Sequence, residues 1–153
     1  MNKLLLALVV ALSFCLLPHG SMLSTPAAPV AAAAGYDWPL APRPPVVRGF
    51  DPPALRWQAG HRGVDLAAPA DSAVIAARAG TVRFAGVVAG RPVISVAHPD
   101  GIATTYEPVR AYVTAGQRVS TGQVLGILES GHPGCPATTC LHWGARIGSG
   151  STA

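Results

Sequence analysis

Short apolar runs alternate with polar residues from Asp65 onward, and glycines and prolines separate these runs. Residues 80–85 alternate with a period of two, and residues 92–98 and 102–107 flank a Pro-Asp-Gly turn. This pattern predicts short strands and a hairpin. Residues 141–147 form the last predicted strand. Because no later segment keeps a 3.6-residue period, the sequence predicts a nearly all-β domain.

The start of the chain differs from the rest and has the layout of a secretory signal peptide. A basic start at Lys3 precedes an almost wholly apolar run over residues 4–17, and small residues follow as far as Ala34. The apolar run is shorter than the roughly 20 residues of a membrane span. We therefore expect residues 1–34 to be removed on secretion, leaving no membrane span. An uncleaved N-terminal anchor is the alternative.

Residues 35–50 contain four prolines and no hydrophobic periodicity. Such a composition predicts an extended, proline-rich lead-in. Two large aromatic residues, Trp38 and Phe50, favour docking of this segment on the domain, with a disordered linker as the alternative. The folded domain is then expected over residues 51–153.

The charge of the mature chain is mildly basic. Cleavage after Ala34 removes Lys3 and no acidic residue, so the formal net charge falls from +4 to +3. This charge favours approach to an anionic wall or polymer. The arginines are scattered and few aromatic residues lie between them, which argues against a nucleic-acid surface.

Two cysteines, Cys135 and Cys140, remain once the leader with Cys15 is lost. An even pair in an exported protein predicts a disulfide. The loop that it closes is short, so its stabilisation is on the order of 2 kcal/mol and its main effect is to hold a local loop. The alternatives are a metal-thiolate pair or a free nucleophile at Cys140.

His61 and Asp65 are the first candidate metal ligands. Neighbouring Gly60, Gly63 and Pro69 make a helix improbable here. On a straight strand the two Cα atoms would lie about 13 Å apart, too far for one ion. We therefore expect a bend at Arg62-Gly63, which glycine permits. An ordinary surface loop is the alternative.

His142 is the third candidate ligand. Two imidazoles and one carboxylate leave a fourth position for water, which is the usual layout of a catalytic zinc site. Cys140 and His142 are two residues apart on a predicted strand and therefore face the same side. The alternative for His142 is a strand histidine packed beside Trp143.

An ordered series of motifs, spread over about residues 50–147, resembles the M23 (lysostaphin/LytM-type) peptidase domain. The motifs are His61-x-x-x-Asp65 with its following Ala-Pro, the Gly80-Thr81-Val82 strand, the Asp100-Gly101 hairpin, the Tyr106 strand, Val113-x-x-Gly116-x-x-Val119-x-x-Gly122-Gln123-x-x-Gly126, and Leu141-His142-Trp143. The resemblance implies a compact antiparallel β-sheet core that carries Zn²⁺. It also implies an endopeptidase of peptidoglycan peptides, with His61, Asp65 and His142 as metal ligands.

Two departures from the family pattern concern catalysis. Pro108 stands where the family has the histidine of Tyr-x-His, and Cys140 stands at the first histidine of His-x-His. In the family these non-ligand histidines assist the attacking water and the transition state. Loss of such a group costs about 10²–10⁴-fold in rate, so a poor peptidase is expected.

Two further polar residues are candidate substitutes for the lost histidines, and a third is expected to be solvent-exposed. His132 is a candidate catalytic substitute, although a solvated loop histidine is the simpler interpretation. Glu107 is a second candidate, with an exposed strand carboxylate as the simpler interpretation. His98 is expected at the surface.

Two functional hypotheses follow. The first is a secreted, cell-wall-associated zinc metalloendopeptidase that acts on peptidoglycan peptides. The second is a catalytically degenerate M23 module that binds peptidoglycan or regulates a partner cell-wall hydrolase.

Overall fold

The computed structural model describes residues 35–55 and 57–147, and within these ranges the chain forms ten strands and no helix. The strands are β1 (Val46–Arg48), β2 (Gly63–Ala67), β3 (Ala73–Ile75), β4 (Gly80–Val88), β5 (Arg91–Ala97), β6 (Ile102–Glu107), β7 (Val109–Ala111), β8 (Arg118–Val119), β9 (Val124–Leu128) and β10 (Cys140–Ile147). The all-β prediction is confirmed. The expected signal peptide lies outside the described residues.

Two sheets make up the fold. The larger has seven strands in the order β1-β2-β10-β6-β5-β4-β8, and the smaller has three in the order β3-β9-β7. Neighbouring strands pair antiparallel in both sheets. The predicted antiparallel core is therefore confirmed. In the predicted hairpin, β5 and β6 are joined through Gly101, whose φ of 82° only glycine adopts readily.

Strand β10 lies between β2 and β6 and sets the position of the candidate site. His142 is directly opposite Asp65 on β2 and directly opposite Glu107 on β6. Side chains alternate between the two faces of a strand, so the neighbours Leu141 and Tyr106 point into the core instead. Both are fully buried.

The core is aliphatic with one large aromatic residue. Its fully buried members include Leu66, Val74, Ile94, Val96, Tyr106, Val109, Leu125, Leu128 and Leu141. The Tyr106 hydroxyl accepts a hydrogen bond from Ala77 N at 3.1 Å and lies 2.9 Å from Thr104 Oγ1. Its polar atom is therefore satisfied within the apolar interior, as burial of a tyrosine requires.

His98 is buried, contrary to the surface position expected from the sequence. It is 6% exposed, and its ring nitrogens contact Ala79 O at 3.0 Å and Thr104 Oγ1 at 2.8 Å. Gly80 leaves room for the ring, because a Cβ there would lie 2.9 Å from His98 Nδ1. The polar partners that offset burial are Ala79, just before β4, and Thr104 on β6, so the immediate sequence neighbours of His98 do not reveal them.

The proline-rich lead-in is part of the folded unit. Leu40 belongs to the core, Trp38 packs 5.9 Å from Trp143, and Val46–Arg48 pairs with β2 as strand β1. The expected docking through Trp38 is thus present, whereas Phe50 is 62% exposed. In the described part of the chain, no helix has the length and apolar character needed to cross a bilayer.

Candidate metal centre

Backbone pairing brings His61, Asp65 and His142 together. Asp65 and His142 face each other across β2 and β10. His61 lies just before β2 and is held by an isolated bridge to Asp51, with backbone hydrogen bonds of 2.9 and 2.7 Å. His61 is therefore outside the straight strand, which is how its side chain reaches the same point as that of Asp65.

The three side chains converge on a single point. Asp65 Oδ1 lies 2.9 Å from His61 Nε2 and 2.9 Å from His142 Nδ1, and these two nitrogens are 3.0 Å apart. Asp65 is fully buried and His61 is 5% exposed. The three ligands predicted from the sequence thus form one buried cluster.

The proton on His61 has a defined position. His61 Nδ1 contacts the carbonyl oxygen of Gly49 at 2.5 Å. A carbonyl only accepts, so Nδ1 carries the proton and Nε2 of the neutral ring presents a lone pair. That lone pair points at Asp65 Oδ1 and His142 Nδ1. The arrangement favours a cation between the three groups, and the second-sphere bond to a backbone carbonyl is typical of metal-binding histidines.

Unpartnered polar atoms support the same interpretation. Asp65 Oδ2 and both ring nitrogens of His132 are buried without a hydrogen-bond partner among the described residues. Buried polar groups without partners are costly. A cation bound by Asp65 and by one ring nitrogen of His132 would relieve part of this cost, so the donor set fits a metal ion.

His132 joins the cluster, contrary to the simpler interpretation of a solvated loop residue. Its Nε2 lies 3.1 Å from Asp65 Oδ1, its side chain is 9% exposed, and its ring stacks on His142 with centroids 5.2 Å apart. The donor atoms of His61, Asp65, His132 and His142 all lie within 4.8 Å of one another. The structure therefore brings together four potential ligands where the sequence predicts three.

A disulfide closes the loop that carries His132. Cys135 and Cys140 are bonded, with their Cα atoms 5.8 Å apart. In this form Cys140 is neither a thiolate ligand nor a nucleophile. Pro108, at the other substituted position, is buried and has no side-chain donor. Neither position offers the proton-transfer group that the family pattern has there.

The protein environment tunes two of the four groups. Burial raises the pKa of Asp65, but contacts with His142 and His61 and the charge of His132 outweigh it, so this pKa lies below its ordinary value. Burial lowers the pKa of His132, and the Asp65 carboxylate opposes this only partly. An ionised carboxylate and a neutral imidazole are the forms that bind metals.

Gly63 provides space beside the bend that lets His61 reach Asp65. It does not have a positive φ. A Cβ at this position would lie 2.6 Å from Trp143 O and 2.7 Å from His142 Nε2. Glycine is therefore required because the His142 ring and the β10 backbone approach β2 closely.

A cationic cavity of about 260 Å³ opens beside the cluster. Its lining includes three arginines and one carboxylate together with His142: Arg62, Arg91, Arg146 and Glu107. Glu107 is 19% exposed and pairs with Arg91 at 3.3 Å. Glu107 thus faces the site, whereas the simpler interpretation of the sequence placed it as an exposed strand carboxylate.

An antiparallel β fold and a convergent His–Asp–His group define a metallopeptidase-type domain. Residues 59–152 match the family model described as Peptidase family M23, and the chain belongs to this family.

Three similar proteins illustrate the relationship. An uncharacterized protein of Mycobacterium tuberculosis is 57% identical over 116 residues, which cover 76% of this chain and 47% of that protein. The DD-carboxypeptidase/endopeptidase Mpg of Neisseria meningitidis serogroup B is 33% identical over 88 residues, 57% of this chain and 20% of Mpg. The solved structure of the antimicrobial peptidase lysostaphin from Staphylococcus simulans has a TM-score of 0.64 and 25% identity, covering 78% of this chain and 50% of lysostaphin. The chain thus spans less than half the length of the Mycobacterium tuberculosis protein and of Mpg.

Proposed function

We propose that this domain is a secreted zinc metalloendopeptidase that acts on peptidoglycan peptides at the cell wall. The observation that carries the proposal is the convergence of His61, Asp65 and His142 within an M23 domain. Two similar proteins bear names that include endopeptidase and antimicrobial peptidase, which supports a peptidase role.

Zinc is the metal that this donor set favours. Imidazole nitrogens and a carboxylate are common zinc ligands, and His–carboxylate combinations occur in catalytic zinc sites. When bound, zinc polarises a peptide carbonyl and lowers the pKa of water. The Gly49 carbonyl fixes the orientation of His61, and burial fixes that of Asp65.

The cavity beside the cluster supports an acidic peptide as substrate. Arg62, Arg91 and Arg146 contribute three positive charges, and Glu107 contributes one negative charge. A concave surface with an excess of positive charge attracts carboxylates. Peptidoglycan peptides carry free carboxylates, so such a substrate would be bound next to the metal ligands.

The second candidate is a module that binds wall peptide, or regulates a partner hydrolase, without cutting. The observations that favour it are Pro108 and the disulfide-bonded Cys140, which replace both assisting histidines. Such a module would keep the cluster and the cavity but turn over slowly or not at all.

Peptide release from purified peptidoglycan separates the two candidates. The protein, His61→Ala and the surface control Glu129→Gln are incubated with and without added zinc, and released fragments are identified by mass spectrometry. Zinc-dependent cleavage that is lost only in His61→Ala supports the peptidase. Zinc binding without cleavage by any variant supports the binding module.

A further inference from the structure

His132 lies nearly as close to Asp65 as the three predicted ligands lie to one another, and all four donor atoms lie within 4.8 Å of one another. Its Nε2 is 3.1 Å from Asp65 Oδ1, and the separations among the other donor atoms are 2.9–3.0 Å. Four donors around one zinc ion at about 2.0–2.1 Å are about 3.3 Å apart. His132 is therefore close enough to Asp65 to share its ion, and ion binding would have to shorten the separation of up to 4.8 Å between His132 and the other histidines.

The 3.1 Å contact between His132 Nε2 and Asp65 Oδ1 lacks the geometry of a well-directed hydrogen bond. Neither ring nitrogen of His132 has a hydrogen-bond partner among the described residues, although both are buried. A histidine that served as a proton-transfer group would be expected to face the reacting water rather than a ligand oxygen. Burial of an unpartnered imidazole against the carboxylate is accounted for if both bind one cation.

The loop is fastened at its C-terminal end. The disulfide joins Cys135 to Cys140 at the start of β10, and Ala68 N donates to Thr139 O at 3.3 Å. Cys135 N also donates to His132 O at 3.4 Å. These links hold His132 over the cluster and reduce the conformational freedom that binding would otherwise remove.

We infer that His132 is a fourth protein ligand of the metal and that the Cys135–Cys140 disulfide holds it in place. This inference rests on the proposed zinc site. Four protein ligands make a closed site of the structural kind, whereas catalytic zinc sites keep one position open. The disulfide-bonded form is therefore a latent peptidase, and removal of His132 opens the position that water needs.

Ligand counting tests this directly. X-ray absorption spectroscopy of the zinc-loaded protein should detect three imidazole ligands, with two in His132→Ala and three in the same-region control Glu129→Gln. Zinc affinity, measured by competition with a chromophoric chelator, should fall at least about ten-fold in His132→Ala. The double variant Cys135→Ser/Cys140→Ser keeps His132 but frees its loop, and its affinity should fall toward that of His132→Ala.

The rate of peptide release distinguishes a metal ligand at position 132 from a proton-transfer group there, because His132→Ala changes the rate in opposite directions in the two cases. Release of peptides from peptidoglycan should rise in His132→Ala if the residue closes the site. Two imidazoles in the unmodified protein, or unchanged affinity in His132→Ala, would overturn the assignment. A fall in cleavage would also overturn it, because His132 would then act in proton transfer. Retention of full affinity by the double cysteine variant would refute the role of the disulfide.

The same measurements separate this inference from the proposed function. Three imidazoles without cleavage by any variant would support the fourth ligand and reject the peptidase. Absence of zinc from both the unmodified protein and His61→Ala would reject both.

Discussion

Substitution of Gly63 by alanine tests the close approach of β2 and β10 at the cluster. The new Cβ would lie 2.6 Å from the Trp143 carbonyl oxygen and 2.7 Å from His142 Nε2, whereas ordinary contacts are 3.4 Å or longer. Relief therefore requires several tenths of an ångström of movement. The carbonyl belongs to a strand that is paired on both sides, so the backbone cannot yield alone.

The cost follows from this overlap. Overpacking of a tight site typically costs about 1–3 kcal/mol, and we expect Gly63→Ala to lose that much free energy of unfolding. Displacement of the His142 ring should also weaken zinc binding by about ten-fold or more. Urea unfolding of the metal-free protein measures the first effect, and chelator competition measures the second.

Gly35→Ala is the matched control. A Cβ at Gly35 meets no atom within 4 Å, and its φ is not positive. Such a change should leave stability unaltered or raise it by up to about 1 kcal/mol. If Gly63→Ala were as stable as the Gly35 control and bound zinc equally well, the steric explanation of Gly63 would be wrong.

Three further predictions concern the metal and the buried polar groups. Removal of zinc by a chelator should lower the free energy of unfolding by about 2.7 kcal/mol, relative to protein in free zinc at one hundred times the dissociation constant of the site. An unchanged thermal midpoint would contradict metal binding by the native state. Tyr106→Phe should cost about 1–3 kcal/mol in urea unfolding, because Ala77 N–H loses its buried acceptor; a cost near zero would show that the hydrogen bond is dispensable. In chelated protein, stability should decline as pH falls below 6.5, because burial lowers the pKa of His132 from that value and the unfolded chain then binds more protons. His132→Gln should reduce this slope, and an unchanged slope would assign it to other groups.

The sequence predicts those parts of the fold that depend on local pattern. The β5–β6 hairpin is recognisable from alternating residues on either side of a Pro-Asp-Gly turn, and the structure contains it at the predicted position. Strand β1 was not predicted, since Val46–Arg48 lies in a proline-rich segment without alternation. Its pairing depends on the free edge of β2, which is tertiary information.

The same distinction applies to the candidate site. His61, Asp65 and His142 could be proposed because the types and order of these residues match a known family. The positions of His132 and Glu107 depend on how a loop closes and which strands are neighbours. His132 is sheltered because its loop, closed by the Cys135–Cys140 disulfide just before β10, lies over Asp65. No local periodicity encodes such an arrangement.

The candidate metal ligands differ in how far their positions depend on an intact sheet, because β10 is a central strand and the His132 segment is not part of the sheet. His142 lies on a strand whose backbone pairs with β2 on one side and β6 on the other, so its amide should exchange with solvent only when the sheet opens. His132 lies in a segment without strand pairing, where exchange proceeds through small local openings. If all four residues bind one ion, Asp65 and His142 are thus part of one cooperative unit, while His132 can leave the ion without unfolding the protein.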